Sequence, residues 1–216
     1  MKDYEVLQKI NEYGICAIVR GISSDKMCNI AEALLKGGVK IVEVTFNTFG
    51  AAQMIQELVE KYGNNMLVGA GTVLDPETAK IAISSGAQFI LSPTLNLNVI
   101  KMCQRYSVLP IPGITTPTEA LTAWENGVQI VKVFPAGVLG SNYIKQLKGP
   151  LGQINMMAVG AINTSNVSDF IKAGANSAGI GGGLVDNKLV KEGKFDEIKQ
   201  RARIFVEAFQ NAKNNV

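Results

Sequence analysis

Histidine is absent from all 216 residues. Its absence excludes Ser-His-Asp and Cys-His catalysis, an imidazole general base, and zinc sites built on His-x-x-x-His. Chemistry is left to lysine, carboxylates, tyrosine, cysteine or water, with no metal and no cofactor expected. Cysteine is scarce and scattered: Cys16, Cys28 and Cys103, without a Cys-x-x-Cys pair. Such spacing suits reduced thiols packed in a core. An excess of charge is missing too, since 21 basic residues face 18 acidic ones. With no basic block and no interleaving of basic and aromatic residues, a nucleic-acid partner is not expected. No apolar run reaches transmembrane length, and the opening Met-Lys-Asp-Tyr-Glu is not a signal peptide, so no membrane partner and a cytoplasmic location are expected. Linker-like and low-complexity stretches are lacking, which predicts one domain over residues 1–216.

What is present is 47% apolar residues and a repeating grammar. A helical stretch ends in glycine, an apolar Val or Ala follows, and a short apolar strand begins. The unit occurs at 30–45, 78–92, 119–134 and 166–181. Glycine just past the last turn is the expected C-terminal cap. Helix starts are marked at Ser23-Ser24-Asp25, Asp75-Pro76-Glu77, Thr116-Pro117-Thr118-Glu119 and Asn163-Thr164-Ser165-Asn166. Eight strands are predicted near 15–20, 39–45, 66–70, 88–92, 108–112, 129–134, 154–159 and 177–181. The spacing suits a strand, a helix and two short loops. The fold class is therefore α/β, a single (β/α)₈ TIM barrel; an open doubly wound sheet is the alternative. Residues 2–13 read as an extra N-terminal helix and 195–212 as the closing helix.

Barrel sites lie at the C-terminal ends of the strands. In Gln-Ile-Val-Lys-Val-Phe-Pro at 129–135, Ile130, Lys132 and Phe134 share one face and Val131 and Val133 the other. An isolated lysine in an apolar strand either reaches back to water or loses its charge, and a neutral amine attacks carbonyl carbon. Glu43, in Lys-Ile-Val-Glu-Val-Thr at 40–45, shares a face with Ile41 and Thr45. Strands 2 and 6 are both even-numbered, so Glu43 and Lys132 can meet across the mouth; a purely structural ion pair is the competing reading. Arg20 follows the apolar run 15–19 and suits a substrate carboxylate, or a salt bridge. Gly69-Ala70-Gly71-Thr72 puts small residues where something approaches the backbone closely, or marks a tight turn. Thr72 offers a hydroxyl donor, and Phe134 can pack against an imine. Gly181, Gly182 and Gly183 follow strand 8, where free backbone amides can bind phosphate.

Together these residues resemble the bacterial 2-keto-3-deoxy-6-phosphogluconate / 4-hydroxy-2-oxoglutarate aldolase family. The matching stretches are Glu43-Val44-Thr45-Phe46, Gly69-Ala70-Gly71-Thr72-Val73, Ser92-Pro93, Pro110-Ile111-Pro112-Gly113-Ile114 and Val131-Lys132-Val133-Phe134-Pro135-Ala136. The resemblance implies a metal-free class I aldolase on a (β/α)₈ barrel, assembled as a homotrimer and acting on a small 2-keto acid. It implies Lys132 as the Schiff-base lysine and Glu43 as the proton-transferring acid/base. Thr72 and Arg20 would hold the pyruvate carboxylate, with Phe134 lining its pocket. Pro93, Asn47, Gly160, Ala161 and the three glycines 181–183 complete the candidate substrate site. Three departures stand out. Asn47 replaces a common arginine, strand 7 ends Ala158-Val159-Gly160-Ala161 rather than Pro-Thr-Gly-Gly, and Gly183 replaces a usual serine. The last two fall at the phosphate end, so phosphate is expected to count for less in this chain. Two other readings remain at this level: a sugar-phosphate epimerase or decarboxylase that makes no imine, and a non-catalytic keto-acid sensor.

Overall fold

The structure, a computed structural model, describes residues 2–214. Its strands are β1 (Ile15–Val19), β2 (Ile41–Thr45), β3 (Leu67–Gly71), β4 (Phe89–Leu91), β5 (Leu109–Ile111), β6 (Gly113–Ile114), β7 (Ile130–Val133), β8 (Asn155–Val159) and β9 (Ser177–Ile180). Its helices are α1 (Asp3–Tyr13), α2 (Met27–Lys36), α3 (Ala51–Tyr62), α4 (Pro76–Ser84), α5 (Leu97–Arg105), α6 (Pro117–Glu125), α7 (Ala136–Leu139), α8 (Ser141–Lys148), α9 (Val167–Lys172), α10 (Asn187–Lys191) and α11 (Phe195–Lys213). All pairings are parallel, in the order β5-β4-β3-β2-β1-β9-β8-β7-β6. The chain is a (β/α)₈ barrel. Its one departure from the eight predicted strands is the fifth, which is divided at Pro112. Proline has no N–H for a ladder, and at this point the strand changes partner. β5 pairs with β4, β6 pairs with β7, and the Pro112 carbonyl accepts the Lys132 N–H at 2.8 Å.

The glycine grammar has a hydrogen-bonded cause. After α4 (Pro76–Ser84), Gly86 takes φ +95° and the Ala87 N–H returns to the Ala82 carbonyl at 3.1 Å. After α6 (Pro117–Glu125), Gly127 takes φ +80° and Val128 returns to Ala123 at 3.1 Å. Val39 and Ala175 make the same bond behind α2 (Met27–Lys36) and α9 (Val167–Lys172). This is the Schellman arrangement: a left-handed residue, then an apolar one that buries itself as the next strand begins. N-terminal caps also follow the sequence at Asp75, which accepts the Thr78 N–H at 2.7 Å, and at Thr116, which forms a reciprocal box with Glu119. Two marked starts differ. A 3₁₀ turn (Ser24–Lys26) precedes α2, and the Ser23 hydroxyl donates to Asp25 instead of capping. Asn163 spends its side chain on the Ser165 amide, and α9 begins later, at Val167.

Two layers of core result. The outer layer lies between strands and helices and includes Ala17, Val42, Val44, Val131 and Val133. The inner layer fills the barrel with Cys16, Ile18, Ile41, Leu67, Phe89, Leu91, Leu109, Ile111, Ile130, Met157 and Val159. Helix α1 (Asp3–Tyr13) adds Val6 and Ile10 to this inner layer. It leads through Gly14 directly into the start of β1, so it closes the N-terminal end of the barrel. Helix α11 (Phe195–Lys213) packs against α2 and α9. Cys16 and Cys103 are buried as expected, whereas Cys28 is half-buried with its Sγ 3.2 Å from Lys61 Nζ. Among the described residues, no helix is long and apolar enough to cross a membrane.

Candidate active site

Lys132 and Glu43 face into the barrel, as the two-residue period requires. Only 4% of Lys132 and 1% of Glu43 is exposed. Among the described residues neither makes an ion pair, and neither carboxylate oxygen of Glu43 has a hydrogen-bond partner. The structural salt bridge weighed against a chemical role is therefore not formed. The Lys132 Nζ lies 4.9 Å from the centre of the Phe134 ring.

Burial dominates the electrostatics. It lowers the Lys132 pKa, the Glu43 carboxylate opposes that shift, and the Arg20 guanidinium adds to it. Burial likewise raises the Glu43 pKa, partly offset by the positive charges of Lys132 and Arg20. Both shifts favour uncharged forms, a neutral amine and a protonated carboxyl. Beneath them the Cys16 thiol is pushed well up, first by burial and then by Glu43.

Above this pair a cavity of about 730 Å³ opens at the C-terminal mouth. Arg20, Thr72, Pro93, Lys132, Phe134, Gly160, Ala161, Gly181, Gly182 and Gly183 all line it. Arg20 leaves the end of β1 and its Nη2 donates to Thr72 Oγ1 at 3.3 Å. Thr72 itself holds φ +56°, outside the ordinary range for a residue with a Cβ. Gly160 lies flat against Phe134; a Cβ there would come within 3.1 Å of the ring. The Gly181 carbonyl accepts the Leu184 and Val185 amides, at 2.9 and 3.0 Å. The Gly182 and Gly183 amides donate to no protein acceptor among the described residues. Arg201 of α11 holds this loop from behind, with Nη1 3.5 and 3.4 Å from the Gly182 and Gly183 carbonyls.

One sequence reading changes. Asn47 does not line this cavity; it borders a neighbouring hollow of about 360 Å³ with Ser23, Thr48 and the fully exposed Phe49. What approaches the small residues of β3 closely is a pair of side chains. A Cβ on Gly71 would fall 1.4 Å from Glu43 Oε1, and one on Gly69 would fall 2.2 Å from the Phe89 ring. Asp186 and Asn187 line the cavity and were not anticipated. Asp186 caps α10 (Asn187–Lys191), accepting the Lys188 N–H at 2.7 Å. Their signal was a cap-forming Asp just beyond β9, where a helix start must border the mouth.

The sequence profile of the KDPG and KHG aldolases matches residues 6–201. The chain belongs to the KDPG and KHG aldolase family. Across 200 residues this aldolase-family chain is 36% identical to the 2-dehydro-3-deoxy-6-phosphogalactonate aldolase of Escherichia coli K12, covering 92% of this chain and 95% of that one. It is 34% identical to the 2-dehydro-3-deoxy-phosphogluconate aldolase of Haemophilus influenzae, covering 92% and 94%. Among solved structures, a native KDPGal structure superposes with a TM-score of 0.86 at 36% identity, over 93% of this chain and 96% of that one. A cube-shaped protein cage, designed by fusing symmetric oligomeric domains, superposes at 0.87 and 35% identity, over 94% of this chain and 74% of that one.

Proposed function

We propose that this member of the aldolase family cleaves a 2-keto-3-deoxy or 4-hydroxy-2-keto acid to pyruvate and an aldehyde through an imine on Lys132. The observation that carries the reading is the buried Lys132 amine at the cavity floor, without an ion-pair partner and with a lowered pKa. The neutral amine adds to the C2 carbonyl, and the carbinolamine loses water as Glu43 supplies a proton. The protonated imine then accepts the electron pair of the breaking C3–C4 bond. Glu43, now a carboxylate, takes the proton of the C4 hydroxyl as the aldehyde forms. It returns that proton to C3 of the enamine, and water releases pyruvate. A carboxyl group with a raised pKa suits both halves of this cycle.

Arg20 and Thr72, joined to one another, would receive the substrate's carboxylate, and Phe134 would cover the imine face. A phosphate at the far end of the substrate would meet the unbonded amides of Gly182 and Gly183. The similar proteins named above act, by their names, on phosphorylated 2-keto-3-deoxy acids, and such an acid is the proposed substrate. Gly183 provides no hydroxyl there, and Ala161 occupies a turn at φ +54°, so phosphate contributes less to preference in this chain. The proposed assembly is a homotrimer. Support comes from the likeness to a cage built from symmetric oligomeric domains and from the apolar surface of Phe49 and Val138, 100% and 79% exposed in the single chain.

Borohydride reduction in the presence of pyruvate tests the chemistry. Peptide mapping is expected to place the reduced adduct on Lys132 and to find none in folded Lys132→Arg. Undiminished turnover in that variant would refute the imine.

A further inference from the structure

We infer that Thr45 and Thr48 are positioning residues whose hydroxyls fix Arg20 at the cavity mouth and thereby set affinity for the substrate carboxylate. The inference rests on the reading of Arg20 as that carboxylate's partner.

β1 ends at Val19, so the ladder that holds the strand stops one residue short of Arg20. Two side-chain bonds take over. Thr45 Oγ1 donates to the Val19 carbonyl at 3.2 Å, and Thr48 Oγ1 accepts the Gly21 N–H at 2.9 Å. The two hydroxyl oxygens lie 3.1 Å apart. Each hydroxyl has a single proton, which sets the direction of the series. Thr45 commits its proton to Val19, so Thr48 donates to Thr45, and Thr48 is left to accept from Gly21. The series runs from the Gly21 N–H through Thr48 and Thr45 to the Val19 carbonyl. It therefore bonds the peptide groups on both sides of Arg20. Both threonines are buried, where an unmade hydrogen bond costs most. The guanidinium that this clamp aims bonds Thr72 Oγ1 at 3.3 Å and lines the cavity beside Lys132. Neither Thr45 nor Thr48 lines that cavity, so any effect on substrate must pass through the backbone at Arg20.

The test is pyruvate binding by calorimetry, with steady-state cleavage alongside. Thr48→Val keeps the shape and removes the hydroxyl. It is expected to weaken pyruvate binding and raise KM by about tenfold, the scale of one buried hydrogen bond, with kcat changed less than about threefold. Thr48→Ser is expected to restore the parent values. In an Arg20→Ala background, Thr48→Val is expected to cause no further loss, because the clamp has nothing left to aim. A loss of equal size in that background would overturn the inference, as would unchanged binding in folded Thr48→Val. If Thr48→Val does not fold, Thr45→Val breaks the same series one bond along and is read in the same way. Absence of a borohydride adduct in the parent protein would strike the imine reading alone, since calorimetric binding still decides the clamp.

Discussion

A methyl group on Gly71 and the carboxylate of Glu43 compete for one volume. Gly71→Ala is therefore expected to expel the carboxylate from its place beside Lys132. Cleavage should fall by about 10²-fold, the loss expected on removing a general acid/base, while pyruvate is still trapped on Lys132. Glu43→Gln should behave alike, and a Gly71→Ala variant with parental kcat would disprove the displacement. Lys132 carries a stability cost whose pH dependence has a definite sign. Its folded pKa lies below the ordinary 10.5, so between the two values the unfolded chain holds a proton that the native chain does not. Stability then rises with pH through that window. For Glu43, raised above 4.5, the native chain holds the extra proton and stability falls as pH rises through its window. Lys132→Met removes the first effect. Its Tm is expected to exceed the parent's at pH 7, and by less at pH 9.5. A lower Tm at pH 7 in calorimetry would contradict this. The inward, buried placement of Lys132 and Glu43 was legible in the sequence because a charge within an alternating apolar strand leaves few places to point. Gly71 was not, because what fills its missing side chain comes from a neighbouring strand. Asn47 was misplaced because a loop residue has no period to aim it.

Helix ends were the most readable elements, because a cap is a bond between residues a few positions apart. Asp75, Thr116 and the glycine–Val or glycine–Ala junctions all act locally. The division of the fifth strand was less visible. Pro112 announces a missing donor, but which strand takes each half depends on the closure of the whole barrel. The turn after β8 is a local feature that runs against preference: Ala161 sits at φ +54°. A residue with a Cβ in this region costs about 1–2 kcal/mol, of which glycine's greater freedom when unfolded returns part. Ala161→Gly is therefore expected to raise Tm by about 1–3 °C. An unchanged or lower Tm would show that packing of the Ala161 methyl near Gly137 outweighs the backbone strain.

At the scale of the molecule, topology followed from counting units, since consecutive strand–helix pairs of similar length close in few ways. The proposed assembly does not follow from the sequence pattern, because exposed apolar residues such as Phe49 and Val138 belong to no period. Light scattering of the purified protein is expected to give three times the 23.1 kDa protomer mass; a monomer at micromolar concentration would refute the proposed trimer. The closed end of the barrel bears on the order of events. With α1 acting as a stopper, molecules enter and leave through one doorway, and the Lys132 amine stands at the back of the room. On the proposed imine, the fragment tethered to Lys132 is the innermost, so the aldehyde fragment stands between it and the exit. Departure is thus a queue, aldehyde first and pyruvate second. In the reverse direction pyruvate must arrive first, because an aldehyde already seated would block its way in.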